Sequence, residues 1–224
     1  MCARYVRETP AAELAELFGV MAMPTLDPSW NTAPTQQVLA VRSAPEGGAR
    51  EAVLLRWGLI PSWAKDISVG SQMFNARGET AREKPSFRTA FRRRRCLLPA
   101  DGFYEWKKGP PPRQPFFFHM KDGKPFAFAG LWERWESPEG TAIESCTMLT
   151  TTPNDLVATV HDRMPVILGA DRYATWLDPA AADVDALQSL IVPFPADRMD
   201  GYPVSRAVGN VRKNEPSLKA RDAG

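Results

Sequence analysis

The feature that most constrains the fold is a series of short apolar runs separated by turn residues. Five of these runs have the length and the apolar or aromatic character of β-strands: residues 37–42, 51–57, 116–120, 126–131 and 143–151. These runs do not alternate regularly with helical segments, as the strands of a doubly wound parallel sheet would. We therefore predict an α+β fold with a largely antiparallel sheet.

Glycine-containing turns join some of these runs. The Gly47-Gly48 pair predicts a turn between the first two strands, which we expect to be paired. Asp122-Gly123 lies between two apolar runs and is a strong hairpin signal. Residues 116–120 are therefore predicted to pair with residues 126–131.

A short helix is predicted over residues 11–18. Thr9 can cap its first turn, Pro10 suits that turn, and Gly19 can end the helix. Further short helices are expected near Thr89, Asp155, Tyr173 and Leu187.

The length of 224 residues favours a single domain, because single cores rarely extend much beyond about 250 residues. We expect one domain over residues 1–224, of which about ten C-terminal residues form a flexible tail. The net charge of +2 requires that any nucleic-acid site be local. No apolar run reaches the ~18 residues that a membrane span needs, and the secretory-signal pattern is absent.

The three cysteines, Cys2, Cys96 and Cys146, are too few and odd in number for a disulfide framework. This usage indicates a reducing compartment, so we expect a cytoplasmic protein. There is no CxxC motif and the two histidines are far apart, so we expect neither a metal nor a cofactor. Cys96 and Cys146 fall in predicted strands and are interpreted as small core residues.

Met1-Cys2 is the first candidate for chemistry. Removal of an initiator Met before a small residue would leave Cys2 with a free α-amine and a thiol. Such an amine can condense with an aldehyde to an imine, and the neighbouring thiol can close on it to a thiazolidine. An N-terminal nucleophile can also attack an acyl group. The alternative is an accidental second residue in a frayed terminus.

Two further candidates could move protons. Strand alternation places Glu105 among aromatic residues, where desolvation would raise the pKa of its carboxyl and suit it to acid–base work. The alternative is a half-exposed strand with this carboxyl in solvent. His161 is the better candidate imidazole, although an isolated histidine is more often structural. His119 lies in a predicted hairpin, which favours a packing role.

Other residues could contact a ligand. The amide of Asn75 can hold a substrate, and Arg77 can bind a phosphate or carboxylate, although both also suit helix capping. Trp63 follows Pro61 and could stack on a base, although core packing is the default. The basic run at residues 92–95 is interpreted as a solvated face.

Taken together, these segments resemble the SOS-response-associated peptidase (SRAP) family over nearly the whole chain. Seven ordered motifs carry the resemblance: MCAR (1–4), NTAP (31–34), WGLIP (57–61), NARGET (75–80), CLLPADGFYEW (96–106), HDRMP (161–165) and VSRAVGN (204–210). The resemblance implies a single domain of twisted, barrel-like sheets with short peripheral helices. It also implies a sensor of abasic sites in single-stranded DNA.

The resemblance implies four catalytic residues. Cys2 would form the Schiff base with the ring-opened sugar and close the thiazolidine, which shields the lesion. Glu105 would shuttle protons during imine formation, and His161 would help to open the sugar. Asn75 would orient Cys2 or the sugar. The family name also records a proposed peptidase activity.

The resemblance also implies a set of DNA contacts. Phosphates flanking the lesion would be bound by Arg4, Arg77 and Arg163. Trp63 and Pro34 would stack on or wedge apart the strand. The remaining candidates for DNA contact are Asn31 and Ser205. The expected partner is single-stranded DNA containing abasic sites, bound by a monomer without metal or membrane.

One position departs from the family pattern. Ala3 stands where family members usually have Gly, and a Gly there would permit a positive φ or a close approach of DNA. We therefore expect Ala3 to affect the efficiency of crosslinking.

Three functional hypotheses follow from these residues. Covalent capture of abasic DNA, with lyase chemistry through the same imine, requires Cys2 at the N-terminus. A thiol or N-terminal-nucleophile peptidase would share Cys2 and His161 but would not use an imine. A non-covalent single-strand binding module would be indifferent to Cys2 and would lose affinity as salt rises. The sequence favours the first hypothesis.

Overall fold

The computed structural model describes residues 2–44, 48–181 and 183–222. Within those ranges the strands are β1 (Arg4–Arg7), β2 (Ser29–Thr32), β3 (Gln37–Ser43), β4 (Arg50–Trp57), β5 (Asn75–Arg77), β6 (Arg95–Ala100), β7 (Gly102–Trp106), β8 (Pro115–Met120), β9 (Phe126–Glu136), β10 (Ala142–Thr151), β11 (Met164–Pro165), β12 (Ile167–Leu168) and β13 (Met199–Pro203). The α-helices are α1 (Ala11–Phe18), α2 (Gly78–Ala81), α3 (Arg88–Arg93), α4 (Asp155–Ala158), α5 (Tyr173–Leu177) and α6 (Val184–Ser189). Short 3-10 turns occur at Ile67–Gln72, Ala170–Arg172, Ala196–Arg198, Arg206–Gly209 and Pro216–Lys219.

Two sheets make up the fold. Five strands close into a barrel in the order β10-β4-β3-β6-β9, because β9 pairs with β6 on one side and with β10 on the other. The second sheet is antiparallel throughout and has the order β13-β8-β7-β1-β2. The predicted α+β class is confirmed. The parallel pairings of β10 with β4 and β5 are the exceptions to the antiparallel pattern.

The two predicted hairpins have different outcomes. β3 and β4 pair antiparallel as expected, with Val38 opposite Leu55. Gly47 of the predicted turn lies outside the described residues. The hairpin across Asp122-Gly123 is wrong, although Gly123 does form a turn. β8 pairs with β7 and β13 in the second sheet, whereas β9 belongs to the barrel, so the turn connects two sheets.

Strand alternation divides the barrel residues between two apolar clusters. On β6, for example, Cys96 and Leu98 pack with the second sheet, whereas Leu97 packs with the helices. Successive side chains of a strand point to opposite faces, and here both faces are buried. The cluster facing the second sheet also contains Cys2 and Tyr5. The N-terminal segment is therefore held between the two sheets.

The five predicted helices are present as α1, α3, α4, α5 and α6, whereas α2 was not predicted. Helix α1 ends as expected. Gly19 adopts the left-handed conformation at φ 64°, and its N–H bonds the Glu16 carbonyl. The start of α1 differs from the prediction, because Thr9 donates its hydroxyl to the carboxylate of Asp101 instead of capping the helix. This contact connects the start of α1 to the turn between β6 and β7.

The last described residues pack against the rest of the fold, where the sequence predicts a flexible tail. Leu218 is 2% exposed and packs in an apolar cluster with Val6 and Val204. Lys219 pairs with Glu8, and Arg221 forms an isolated bridge with Val204. Burial of a leucine outweighs the fraying that terminal position alone predicts.

Among the described residues, no helix combines the length and apolar character needed to cross a membrane.

Candidate functional site

Cys2 lies immediately before β1 and is fully buried. Its thiol donates a hydrogen bond to the Arg4 carbonyl at 3.5 Å. Burial, together with the negative charge of Glu105, raises the pKa of the Cys2 thiol far above its ordinary value. The thiol is therefore neutral at physiological pH and is not a preformed thiolate.

Glu105 reaches the site from β7, the strand next to β1. Arg4 pairs with Tyr104 in an antiparallel register, so the segment preceding β1 runs alongside Glu105. The Glu105 side chain is only 2% exposed. Burial raises the pKa of this carboxyl to about 7. Near neutral pH it can therefore both donate and accept a proton.

Asn75 opens β5, whose parallel pairing with β10 places Asn75 opposite Met148. Its side-chain N–H donates to the carbonyl oxygen of Cys2 at 2.6 Å. The Asn75 amide oxygen is buried and accepts no hydrogen bond from the described residues. This oxygen can accept a hydrogen bond from an amine or a substrate hydroxyl in the site.

His161 follows α4 and completes the group. Its Nε2 lies 4.0 Å from the Oε2 atom of Glu105. Its Nδ1 lies 3.1 Å from the Arg163 backbone nitrogen and 3.2 Å from the Arg163 carbonyl oxygen, so a donor and an acceptor both face this ring nitrogen. Burial lowers the pKa of the imidazole, so the neutral ring prevails at pH 7.

Asp162 and Lys108 border the imidazole on its solvent side. An Asp162 oxygen lies 3.2 Å from His161 Nδ1, and the Lys108 ammonium lies 2.6 Å from the other oxygen. The hydrogen bond from Lys108 lowers the pKa of the Asp162 carboxyl. A cavity of about 370 Å³ opens beside these residues. Neither residue was predicted to belong to the site, although Asp162 lies within the HDRMP motif and Lys108 lies two residues after the CLLPADGFYEW motif.

The four predicted catalytic residues thus come together from four separate chain segments. The three predicted phosphate ligands differ from one another. Arg4 is half-buried, and its guanidinium donates to the Ala3 carbonyl at 2.7 Å. Arg77 is exposed at the end of β5 and forms no ion pair with the described residues. Arg77 is therefore the predicted arginine best placed to meet a phosphate.

Arg163 is hydrogen-bonded within the fold, and its role as a phosphate ligand stays a prediction. Both of its terminal nitrogens bond the Glu79 carboxylate at 2.7 Å, and one also donates to the Thr150 carbonyl at 2.7 Å. Its side chain is 18% exposed. These bonds fix the turn that carries His161 to β10 and α2. Spacing along the chain gave no sign of the Glu79 partner.

The predicted stacking residues lie on exposed loops. Trp63 is 60% exposed, and Pro34 is half-buried beside Thr35, which has a φ of 74°. The base of the Trp63 loop is fixed by a close approach of Gly58 to Gly70. A Cβ atom on Gly58 would lie 2.4 Å from the Gly70 carbonyl oxygen, so this contact requires glycine.

Asn31 and Ser205 make hydrogen bonds within the fold, and their role as DNA contacts stays a prediction. Asn31 is 2% exposed and donates its amide to the carbonyls of Val208, Asn210 and Lys213 at 2.9–3.2 Å. The Ser205 hydroxyl accepts from the Ala207 N–H at 3.2 Å and caps a 3-10 turn. Both residues shape the C-terminal segment.

Ala3 requires no unusual backbone conformation. Within the described part of the chain, Thr35 is the non-glycine residue with a positive φ. The conformational reason for a glycine at position 3 therefore does not apply here.

The fold and the site define an α+β protein with a buried candidate nucleophile beside a carboxyl, an imidazole and an amide. The SOS response associated peptidase (SRAP) family model matches residues 1–211, so the chain belongs to this family. This membership confirms the family inferred from the sequence motifs.

Curated relatives extend across the same region. The abasic site processing protein YoqW of Bacillus subtilis (strain 168) is 43% identical over 222 residues, covering 97% of this chain and 98% of that protein. The abasic site processing protein HMCES of Rattus norvegicus is 32% identical, covering 86% of this chain and 65% of HMCES.

Solved structures share the fold. A crystal structure of a protein from Bacteroides thetaiotaomicron superimposes with a TM-score of 0.88 at 26% identity, covering 99% of this chain and all of that one. A protein from Bordetella bronchiseptica gives a TM-score of 0.79 at 30% identity, covering 91% of this chain.

Proposed function

We propose that this protein processes abasic sites in single-stranded DNA by forming a covalent thiazolidine crosslink through Cys2. The proposal requires removal of Met1, which exposes the α-amine of Cys2. The observation that carries it is Glu105, a buried carboxyl with a pKa of about 7 beside Cys2 and 4.0 Å from His161. The names of the YoqW and HMCES relatives support the choice of DNA lesion.

The reaction begins at the amine. The Cys2 nitrogen attacks the aldehyde carbon of the ring-opened sugar, and the resulting carbinolamine loses one water to form an imine. Glu105 donates the proton that lets hydroxide leave as water and then takes a proton from nitrogen. His161 is a neutral imidazole, which has one nitrogen that donates and one that accepts, and it assists the opening of the sugar.

The thiol acts after the amine. The Cys2 sulfur adds to the imine carbon, and its proton passes to the nitrogen, so the sum of the steps releases one water. Burial keeps this thiol neutral before the reaction, which supports attack by the amine first. A thiol peptidase would need the thiolate as its nucleophile, so the same observation favours crosslinking over peptidase chemistry.

The imine is also the intermediate from which β-elimination of the neighbouring phosphate would proceed. Lyase activity therefore belongs to the proposal, in competition with closure by sulfur. Arg77 and Arg4 would bind phosphates near the lesion, and Trp63 and Pro34 would stack against the separated strand. A monomer contains every group that this reaction uses.

Intact mass spectrometry tests the proposal. The untagged protein is mixed with a single-stranded oligonucleotide that contains one abasic site. The expected product has lost Met1 and has gained the oligonucleotide minus one water. Cys2→Ala should give no stable adduct, but borohydride should trap its imine, because the amine remains.

Other outcomes would replace the proposal. A stable adduct of Cys2→Ala at wild-type yield without reductant would exclude the thiazolidine. Binding that ignores both the lesion and Cys2 would indicate a non-covalent module. Peptide turnover with the amine blocked and the thiol free would indicate a peptidase.

A further inference from the structure

The positive charge of the chain is concentrated in residues 77–95. This segment holds eight of the 28 basic residues and two of the 26 acidic residues, so its net charge is +6. The remainder holds 20 basic and 24 acidic residues, so its net charge is −4. The overall charge of +2 therefore conceals a strongly basic segment within an otherwise acidic chain.

Both acidic residues of this segment are already paired. Glu79 is bound by Arg163. Glu83 lies 3.8 Å from Arg82, whose guanidinium also bonds Asp185 at 2.6 Å. Neither carboxylate is therefore available to neutralise the remaining basic side chains of the segment.

Two more arginines of the segment are engaged inside the fold. Arg94 bonds Glu133 at 2.5 Å, and the buried Arg95 donates to backbone carbonyls, including that of Trp176 at 2.6 Å. The burial of Arg95 corrects the interpretation of residues 92–95 as a uniformly solvated face. The remaining basic residues are exposed and form no ion pair within the described chain: Arg77, Lys84, Arg88, Arg92 and Arg93.

Three of these residues lie on one side of a helical segment. The Arg88 N–H bonds the Lys84 carbonyl at 2.8 Å, so the helical turns begin before α3. Lys84, Arg88 and Arg92 are four residues apart and thus form a row, which we name the basic ridge. The buried residues Ala90 and Phe91 attach α3 to the core.

The basic ridge follows the candidate-site strand β5 closely along the chain. Arg77 ends the strand that Asn75 begins, and Lys84 follows Arg77 by seven positions. An extended chain of that length spans at most about 25 Å. A DNA strand rises about 3.4 Å per nucleotide, so about seven nucleotides cover the distance.

We propose that the basic ridge binds backbone phosphates of the DNA that flanks the lesion, beyond Arg77. The partner is DNA because the proposed function supplies it, and the inference rests on that function. The chemistry of recognition is a row of unpaired cations meeting a row of phosphates. The ridge would add affinity without sequence preference and would take no part in the covalent steps.

Salt dependence of non-covalent binding tests the ridge. The probe is single-stranded DNA without an abasic site, so crosslinking does not enter the measurement. The triple variant Lys84→Ala, Arg88→Ala and Arg92→Ala should reduce the slope of log Kd against log salt by about 2, at about 0.7 for each phosphate contact. Its crosslinking rate at saturating abasic DNA should equal that of the wild type.

Strand length and a matched control separate the ridge from general charge effects. Wild-type affinity should rise from an oligonucleotide of about five nucleotides to one of about 20, and the triple variant should lose this gain. Lys121→Ala, Lys124→Ala and Lys213→Ala remove three exposed charges elsewhere and should leave the slope near the wild-type value. An unchanged slope and length gain in the ridge variant would overturn the inference. Failure of the crosslinking assay alone would bear on the proposed function instead.

Discussion

The Asn75 side chain donates a hydrogen bond to the Cys2 carbonyl at 2.6 Å and so joins β5 to a residue 73 positions earlier. This contact holds the segment that carries the proposed nucleophile. A buried carbonyl that loses such a donor costs about 1–3 kcal/mol. The position of Cys2 relative to Glu105 therefore depends on an amide from a different part of the chain.

Asn75→Ala should slow crosslinking by about 5- to 100-fold, because the Cys2 carbonyl loses its donor and the amine loses its fixed position. Single-turnover rates at saturating abasic oligonucleotide measure the effect. Asn214→Ala removes an exposed amide that accepts from the Trp30 N–H, and it serves as the matched control. Equal rates for Asn75→Ala and the wild type would contradict a positioning role.

Glu105→Gln should slow crosslinking by about 10²- to 10⁴-fold, the range typical of a lost general acid–base group. Glutamine keeps the shape of the side chain but cannot transfer the proton. DNA binding should persist, measured on an oligonucleotide with a tetrahydrofuran lesion that has no aldehyde. Unchanged single-turnover kinetics would remove Glu105 from the mechanism.

The same carboxyl should make stability depend on pH. Its folded pKa of about 7 is above the ordinary value of an unfolded glutamate, so the folded state binds the extra proton between these two values. The stability contributed by the protonated form is present at low pH and is lost as pH rises through about 7. Glu105→Gln cannot ionise, so its stability relative to wild type should increase from pH 5 to pH 8. Urea unfolding at each pH measures this difference, and a constant difference would refute the assignment.

The hydrogen bonds of Arg163 to Glu79 and Thr150 favour a structural role for this residue over phosphate binding. Arg163→Ala should slow crosslinking several-fold and shift its pH profile, because the turn that carries His161 loses its attachment to Glu79 and Thr150. Its salt slope for DNA binding should match the wild type. Arg77→Ala should instead reduce that slope by about 0.7. A reduced slope of log Kd against log salt for Arg163→Ala would support its predicted role as a DNA contact.

Local patterns predicted the parts of this fold that depend on local physics. Alternation and turn residues identified β3, β4 and β10, and the end of α1 at Gly19 followed from the conformational freedom of glycine. The partner of β8 could not be predicted, because Asp122-Gly123 specifies a turn and not which sheet edges are available.

In the candidate site, too, some features could be predicted from local sequence and others depend on distant parts of the chain. The residue types of Cys2, Glu105 and His161 indicated chemistry, but their grouping depended on the family resemblance and not on spacing. The ion pair between Glu79 and Arg163 could not be predicted, because the two residues are 84 positions apart. The hydrogen bonds of Asn31 could not be predicted for a similar reason, since its carbonyl partners lie in the C-terminal segment.

The ordered C-terminal segment leads to the last prediction. Leu218 packs against Val6 of β1, the strand that follows Cys2. Leu218→Ala should lower the free energy of unfolding by about 2–5 kcal/mol, as expected for a buried leucine. The crosslinking rate of the folded fraction should change little, because the residue lies outside the group around Cys2. Urea unfolding measures the first effect, and Ser217→Ala, an exposed neighbour, is the control. Equal stability of Leu218→Ala and the wild type would mean that residues 216–222 are a dispensable tail, as the sequence alone predicted.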